Sequence, residues 1–336
     1  MKKIISFLNT DIKIINSYFL FTIVLIILVC VGYSSYALFS FTKTSTNVIE
    51  GTVGELKKSG TDSLIKLTDN KDNSGLYTIT HAADSTLQIG TNESVTEYRY
   101  RGASPKNYLT FNNEVWRILG VFQTDDGTGK IENRIKIIRN ESIGQYVADS
   151  NNSVEIAWPE TNMNNNLNGT YLSSLTSETQ NMIGNAKYYL GGYNVYTQTS
   201  QDMYSYERKI SGSDYYYGSN PTNWVGKLAL MYVSDYGYAS SNCEGKNLYI
   251  YGNNTDDIRQ CNSTNWLYNI KINEWLLNQD PDYAYGVFYL HNVGYITDGG
   301  IAYNYQYATR PVVYLKSNIK ITGGDGTSTN PYTFGL

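Results

Sequence analysis

No charged residue occurs between Lys13 and Lys43, and the centre of that interval, residues 18–31, is almost wholly apolar. A bilayer core of about 30 Å is crossed by about 20 helical residues at about 1.5 Å rise each. Residues 18–39 supply that length. Lys2, Lys3 and Lys13 precede the run, so the positive-inside bias holds residues 1–17 in the cytoplasm and sends the chain beyond Lys43 outward. The prediction is a single transmembrane signal-anchor over residues 18–41. The same segment also meets the pattern of a cleavable signal peptide, because Ser35-Tyr36-Ala37 is a small-x-small site after a suitable apolar run. Apolar character continuing through Leu38, Phe39 and Phe41 favours the anchor. Either outcome exports the body of the chain.

Composition agrees with export and narrows the partners. Among 336 residues, 26 Lys and Arg face 30 Asp and Glu, for a formal net charge of −4. Without a basic excess to neutralise phosphates, no nucleic-acid partner is expected. Charged residues make up 17 %, against about a quarter in ordinary soluble domains, while 33 tyrosines supply enough aromatic surface to order a chain. Of three cysteines, Cys30 lies in the apolar run, leaving Cys243 and Cys261 as an even pair in the exported region. That pair predicts a disulfide. A zinc site would need further ligands, and the two histidines, His81 and His291, lie in separate parts of the chain. No metal or other cofactor is expected.

Residues 42–96, rich in Thr, Ser, Gly, Asn and Asp, predict a stalk with one or two edge strands. From residue 97 the texture becomes that of a folded domain reaching residue 336. Residues 109–122 give two strands joined through Asn112-Asn113, a pair that tolerates positive φ, and residues 135–138 give a third across a Gly/Asp-rich loop. Leu167, Tyr171, Leu172 and Leu175 recur at helical spacing, and Ser177 is placed to cap a second helix over 178–183. Strands follow around Trp224, Trp275 and Val287, and Asp298-Gly299-Gly300 predicts a tight turn between two more. Many short strands with two early helices predict an α+β domain.

The series Asn265-Trp266, Glu274-Trp275-Leu276-Leu277, Gly294-Tyr295, Gly299-Gly300 and Arg310-Pro311-Val312-Val313-Tyr314-Leu315 resembles the C-terminal half of exported proteins of low-GC Gram-positive bacteria. Trp116-Arg117-Ile118 and the helix from Leu167 resemble the N-terminal half of that group. Their fold is similar to the C-type-lectin-like domain shared with formylglycine-generating enzymes, so the resemblance implies such a domain over residues 97–336. The copper site of those enzymes has no residue-by-residue match here, and their activity is not carried over.

Other chemical candidates have structural explanations. Arg310 beside a strand predicts an ion pair, and His291 a hydrogen-bonded structural residue. Asp325, Thr327 and Asn330 offer oxygens for calcium, although a Gly/Asp/Asn turn needs no metal. Asp202, Glu207, Asp214 and Asp235 are scattered acids among which spacing selects no catalytic pair. The tyrosines carry more. Tyr303, Tyr305 and Tyr307 alternate with smaller or polar residues and on a strand would share one face. With Tyr295 and the Tyr215-Tyr216-Tyr217 run they form the candidate ligand-binding set. The expectation is a membrane-anchored extracellular protein that binds a surface glycan or protein without catalysis. The alternatives are an exported carboxylate-based hydrolase on the same scaffold and a structural component of the cell envelope.

Overall fold

The structure, a computed structural model, describes residues 21–23, 25–28 and 59–336 apart from 152–155, 194–197 and 250–254. The chain divides into two compact units, Met1–Lys57 and Lys58–Leu336. In the first, the described residues are helical and carry exposed side chains such as Phe21 and Leu28. The rest of the expected anchor, with the cytoplasmic segment 1–17, lies outside the described residues. Among the described residues no helix is long and apolar enough to cross a membrane.

The second unit is α+β, with mostly antiparallel sheets and short helices. Its largest sheet has seven strands: β1 (Tyr77–His81), β2 (Val95–Arg99), β3 (Tyr108–Phe111), β4 (Glu114–Asp125), β5 (Ile131–Arg139), and the later β9 (Leu228–Ala229) and β14 (Val312–Tyr314). The order is β1-β2-β4-β5-β14-β9, with β3 paired to β4. The predicted meander is present. Asn112 and Asn113, at φ 55° and 58°, turn β3 into β4, and Asp125 accepts bonds from the Gly127 and Gly129 N–H groups to close the β4–β5 loop. Trp116, Ile118, Val121, Ile135 and Ile137 are buried on this sheet.

A second sheet runs β12-β11-β10-β13-β6, from β6 (Gln145–Tyr146), β10 (Glu274–Gln279), β11 (Gly286–Leu290), β12 (Ile296–Ile301) and β13 (Tyr307–Ala308). Two hairpin-like pairs complete the strands, β7 (Ala186–Tyr189) with β8 (Asn223–Gly226), and β15 (Lys320–Gly323) with β16 (Thr333–Gly335). The helices are α1 (Gly60–Ile65), α2 (Asn162–Asn166), α3 (Leu172–Ser174), α4 (Ser177–Met182), α5 (Ser200–Glu207), α6 (Val233–Gly237) and α7 (Thr255–Thr264). A π-helical turn, Leu167–Tyr171, joins α2 to α3. The cap of α4 is Thr176, whose hydroxyl accepts from the Thr179 N–H, one residue before the expected Ser177. Cys243 and Cys261 are bonded as predicted.

Two expectations are corrected. Residues 59–96 are not a stalk: α1, β1 and β2 belong to the compact unit, and Leu64 and Leu76 are fully buried. Ile79 on β1 packs with Leu87, Tyr204 and Tyr238, and Val95 on β2 with Ile89 and Tyr189, so these segments complete their burial against residues far along the chain. Asp298-Gly299-Gly300 is not a turn but lies inside β12. The chain reverses instead over residues 291–295, where Gly294 adopts φ 90° and the Gly294 N–H donates to the His291 carbonyl. Gly300 is needed for close approach. A Cβ there would lie 2.4 Å from the Val287 carbonyl oxygen and 2.5 Å from the Trp275 ring.

Candidate functional site

The largest concentration of charge is inside the molecule. Glu97 and Arg99 on β2, Lys136 on β5, Glu207 and Arg208 at the end of α5, and Asp235 on α6 form a network in which no member is more than 4 % exposed. Arg99 donates to Glu97 at 2.7 Å and to Asp235 at 3.0 Å, while Lys136 donates to the other Asp235 oxygen. His81 joins through Nε2, 3.3 Å from Glu97, and its ring stacks on Tyr204 at 3.4 Å between centroids. Burial pushes the Glu97 and Asp235 carboxyls up, but the adjacent cations outweigh it and hold both below their usual range. Three carboxyl groups face three basic groups, all buried. The network fastens α5 and α6 to the large sheet, and this accounts for Glu207 and Asp235. Asp202 caps α5 with Thr199, and Asp214 is exposed.

Arg310 takes the predicted structural role. It donates twice to Glu274, at 2.6 and 2.8 Å, and also to Asn269 and the Leu267 carbonyl. In the C-terminal loop, Asp325 accepts from the Thr327 N–H and hydroxyl, and its own N–H donates to the Asn330 carbonyl. Among the described residues no cluster of His, Cys, Asp or Glu has the geometry to hold a metal.

The outer face of the second sheet differs. Register places Trp275 on β10, Tyr289 on β11 and Thr297 on β12 side by side, and Tyr307 on β13 opposite Tyr146 on β6. Successive side chains on a strand point to opposite faces, so the residues between them face the core. Rings then touch in series: Tyr305 on Tyr307 at 5.5 Å, Tyr307 on Tyr289 at 4.6 Å, Tyr289 on His291 at 6.2 Å, and His291 on Tyr295 at 4.3 Å. Trp275 lies beneath, fully buried, 4.6 Å from Tyr307, with its indole N–H donating to the Tyr146 carbonyl at 2.7 Å. Tyr305, at one end of the series, is 38 % exposed, and Tyr146, opposite Tyr307, is 41 % exposed. Burial pushes the Tyr289, Tyr295 and Tyr307 hydroxyls up and the His291 imidazole down, so these four side chains are neutral at neutral pH.

Three of the predicted tyrosines, Tyr295, Tyr305 and Tyr307, thus belong to one surface, but not by strand alternation. Only Tyr307 lies in a strand. Tyr303 sits in the turn after β12 and packs edge-on against Tyr285 at 5.7 Å, apart from the series. The Tyr215-Tyr216-Tyr217 run is divided. Tyr215 contacts Tyr193 and Tyr206 at 5.4 and 5.7 Å. Tyr216 is 7 % exposed, with its hydroxyl donating to the Lys209 carbonyl, and Tyr217 is half-buried. Tyr289, His291, Tyr146 and Trp275 were not selected as ligand residues. The signal for Tyr289 is its place between Phe288 and Leu290, from which alternation turns it to the other side of the strand.

One further feature is chemical. Asp280, at the end of β10, and Asp298, in β12, are both almost fully buried. Burial pushes the Asp280 carboxyl up to about 7, with the Asp298 charge adding to the rise against an opposing bond from the Asp282 N–H. Tyr249 donates to one Asp298 oxygen at 2.9 Å, while the other, Oδ2, has no hydrogen-bond partner among the described residues. Comparison with family models, with curated proteins and with solved structures returns no match for the chain.

Proposed function

We propose that the chain is a cell-surface recognition protein, held by a signal-anchor over residues 18–41, whose exported domain binds a glycan across the aromatic face of the second sheet. The observation that carries this reading is the unbroken series Tyr305–Tyr307–Tyr289–His291–Tyr295 over Trp275. Neutral rings with hydroxyl edges offer apolar surface for the C–H faces of sugars and hydrogen bonds for their hydroxyls. The Cys243–Cys261 disulfide supports an oxidising location outside the cytoplasm. The lectin-like architecture that the sequence resemblance implies is part of the same proposal.

The full-length protein in detergent, applied to arrays of envelope polysaccharides and of extracellular proteins, tests the reading. Glycan retention that falls in Tyr305→Ala and Tyr289→Ala variants of unchanged melting temperature supports it. Retention of protein alone, or glycan binding indifferent to both variants, overturns it.

A second reading, an exported hydrolase, rests on Asp280. A carboxyl poised near neutrality beside another carboxylate suits general acid–base work. Hydrolysis of array glycans by the wild type but not by Asp280→Asn would establish it.

A further inference from the structure

We infer that a cavity of about 260 Å³ between β6 and α2 is the subsite for one neutral sugar unit, the end residue of the glycan lying on the aromatic face. The inference rests on the glycan reading and adds to it a location and a ligand class.

Position comes first. β6 is the outermost strand of the second sheet, and Tyr146 on it is the register partner of Tyr307. Tyr146 and Gln306 both line the cavity, and Gln306 stands in the chain between Tyr305 and Tyr307, whose rings stack. The cavity therefore opens where the ring series ends. A polymer lying along the rings brings its terminus to this point.

Chemistry comes second. Four side-chain amides line the cavity: Gln145, Asn162, Asn166 and Gln306. An amide carries donors and an acceptor in one group, which suits hydroxyls that both give and receive. Asn162 is oriented by Ser150, whose N–H donates to its Oδ1 at 2.8 Å, so its Nδ2 remains as a donor. Met163 and Leu167, both buried, supply an apolar floor. Among the described residues no Lys, Arg, Asp or Glu lines the cavity. An acidic sugar would be desolvated there without a cation to pair it, at a cost in affinity. Size comes third: the cavity is smaller than the roughly 300–1,000 Å³ of sites for larger organic ligands, and suits a single ring.

The test uses full-length protein on an array of linear oligosaccharides sharing one core and ending in a neutral hexose, an N-acetylhexosamine or a uronic acid. Wild type is compared with Gln306→Leu, Asn166→Leu and the isosteric Asn166→Asp. Asn166 is half-exposed, so the Asp variant tests the subsite even if the Leu variant fails to fold. Lost amide hydrogen bonds weaken neutral-ended glycans by about tenfold in each folded variant. Wild type holds uronic-acid ends at least about tenfold more weakly than neutral ends, the scale of one unpaired buried charge or more. Variants that bind like wild type, or equal retention of acidic ends, overturn the subsite while leaving the aromatic face in place. Folded wild type retaining no glycan overturns the reading on which the subsite rests, and the subsite with it.

Discussion

The Lys136 ammonium donates to Asp235 Oδ2 where their side chains are 1 % and 0 % exposed, joining the middle of the large sheet to the first turn of α6. Asp235 also accepts from the Tyr232 N–H at 2.9 Å, so one carboxylate caps the helix and neutralises the strand. Removing one partner leaves an uncompensated charge in the core. Lys136→Met and Asp235→Asn are each expected to lower stability by about 3–5 kcal/mol. Urea unfolding midpoints measure this, and a loss below about 1 kcal/mol would place the pair in far wetter surroundings.

The Cys243–Cys261 bond closes a loop with a sequence separation of 18. In the chain-entropy model a loop of this size is worth about 3 kcal/mol. Thermal melts of the Cys243→Ala/Cys261→Ala double variant should show a matching loss, and dithiothreitol should lower the wild-type melting temperature but not the variant's.

Asp280 gives the fold a pH dependence of definite sign. Its folded pKa, pushed by burial to about 7, lies above the ordinary 3.8, so the native state keeps a proton that the unfolded chain has released. That contribution is complete below the unfolded value and is lost as pH rises towards 7, at up to about 1.4 kcal/mol per pH unit. Asp298, also raised by burial, acts in the same direction. Asp280→Asn should flatten the fall in stability between the two values, as read from urea midpoints across pH. An unchanged slope would show that Asp280 is ionised throughout.

Gly300 lets the Trp275 ring lie against β12. Gly300→Val must displace either the Val287 carbonyl or the indole, at a cost of about 1–3 kcal/mol. The variant should shift tryptophan emission to the red and weaken ligand retention more than its loss of stability explains. Unchanged emission would show that the indole does not rest on this strand.

Legibility in the sequence followed the range of the interactions. The β3–β4–β5 meander was readable because Asn112-Asn113 and the Asp125 loop specify their turns locally. The cysteine pair needed only a count, and Arg310 only its place beside a strand. Residues 59–96 read as a stalk because β1 and β2 complete their hydrophobic environment with Tyr189, Tyr204 and Tyr238, far along the chain. Asp298-Gly299-Gly300 was misread because turn chemistry and close packing select glycine for different reasons. Tyr305 and Tyr307 stand out by their alternation with smaller or polar residues, although only Tyr307 lies in a strand, whereas Tyr289, His291 and Trp275 join the surface through register between β10, β11 and β13, which no local pattern states.

The position of β14 has a consequence for how the chain is made. Val312 and Val313 pair with Ile138 and Ile137 on one side and with Ala229 and Leu228 on the other. During synthesis, β5 has its β4 neighbour early but must wait for β14 with its other edge open. β9 waits beside it. An apolar strand with unpaired backbone groups recruits other chains, so the interval before residue 312 emerges is when this protein is most exposed to misassembly.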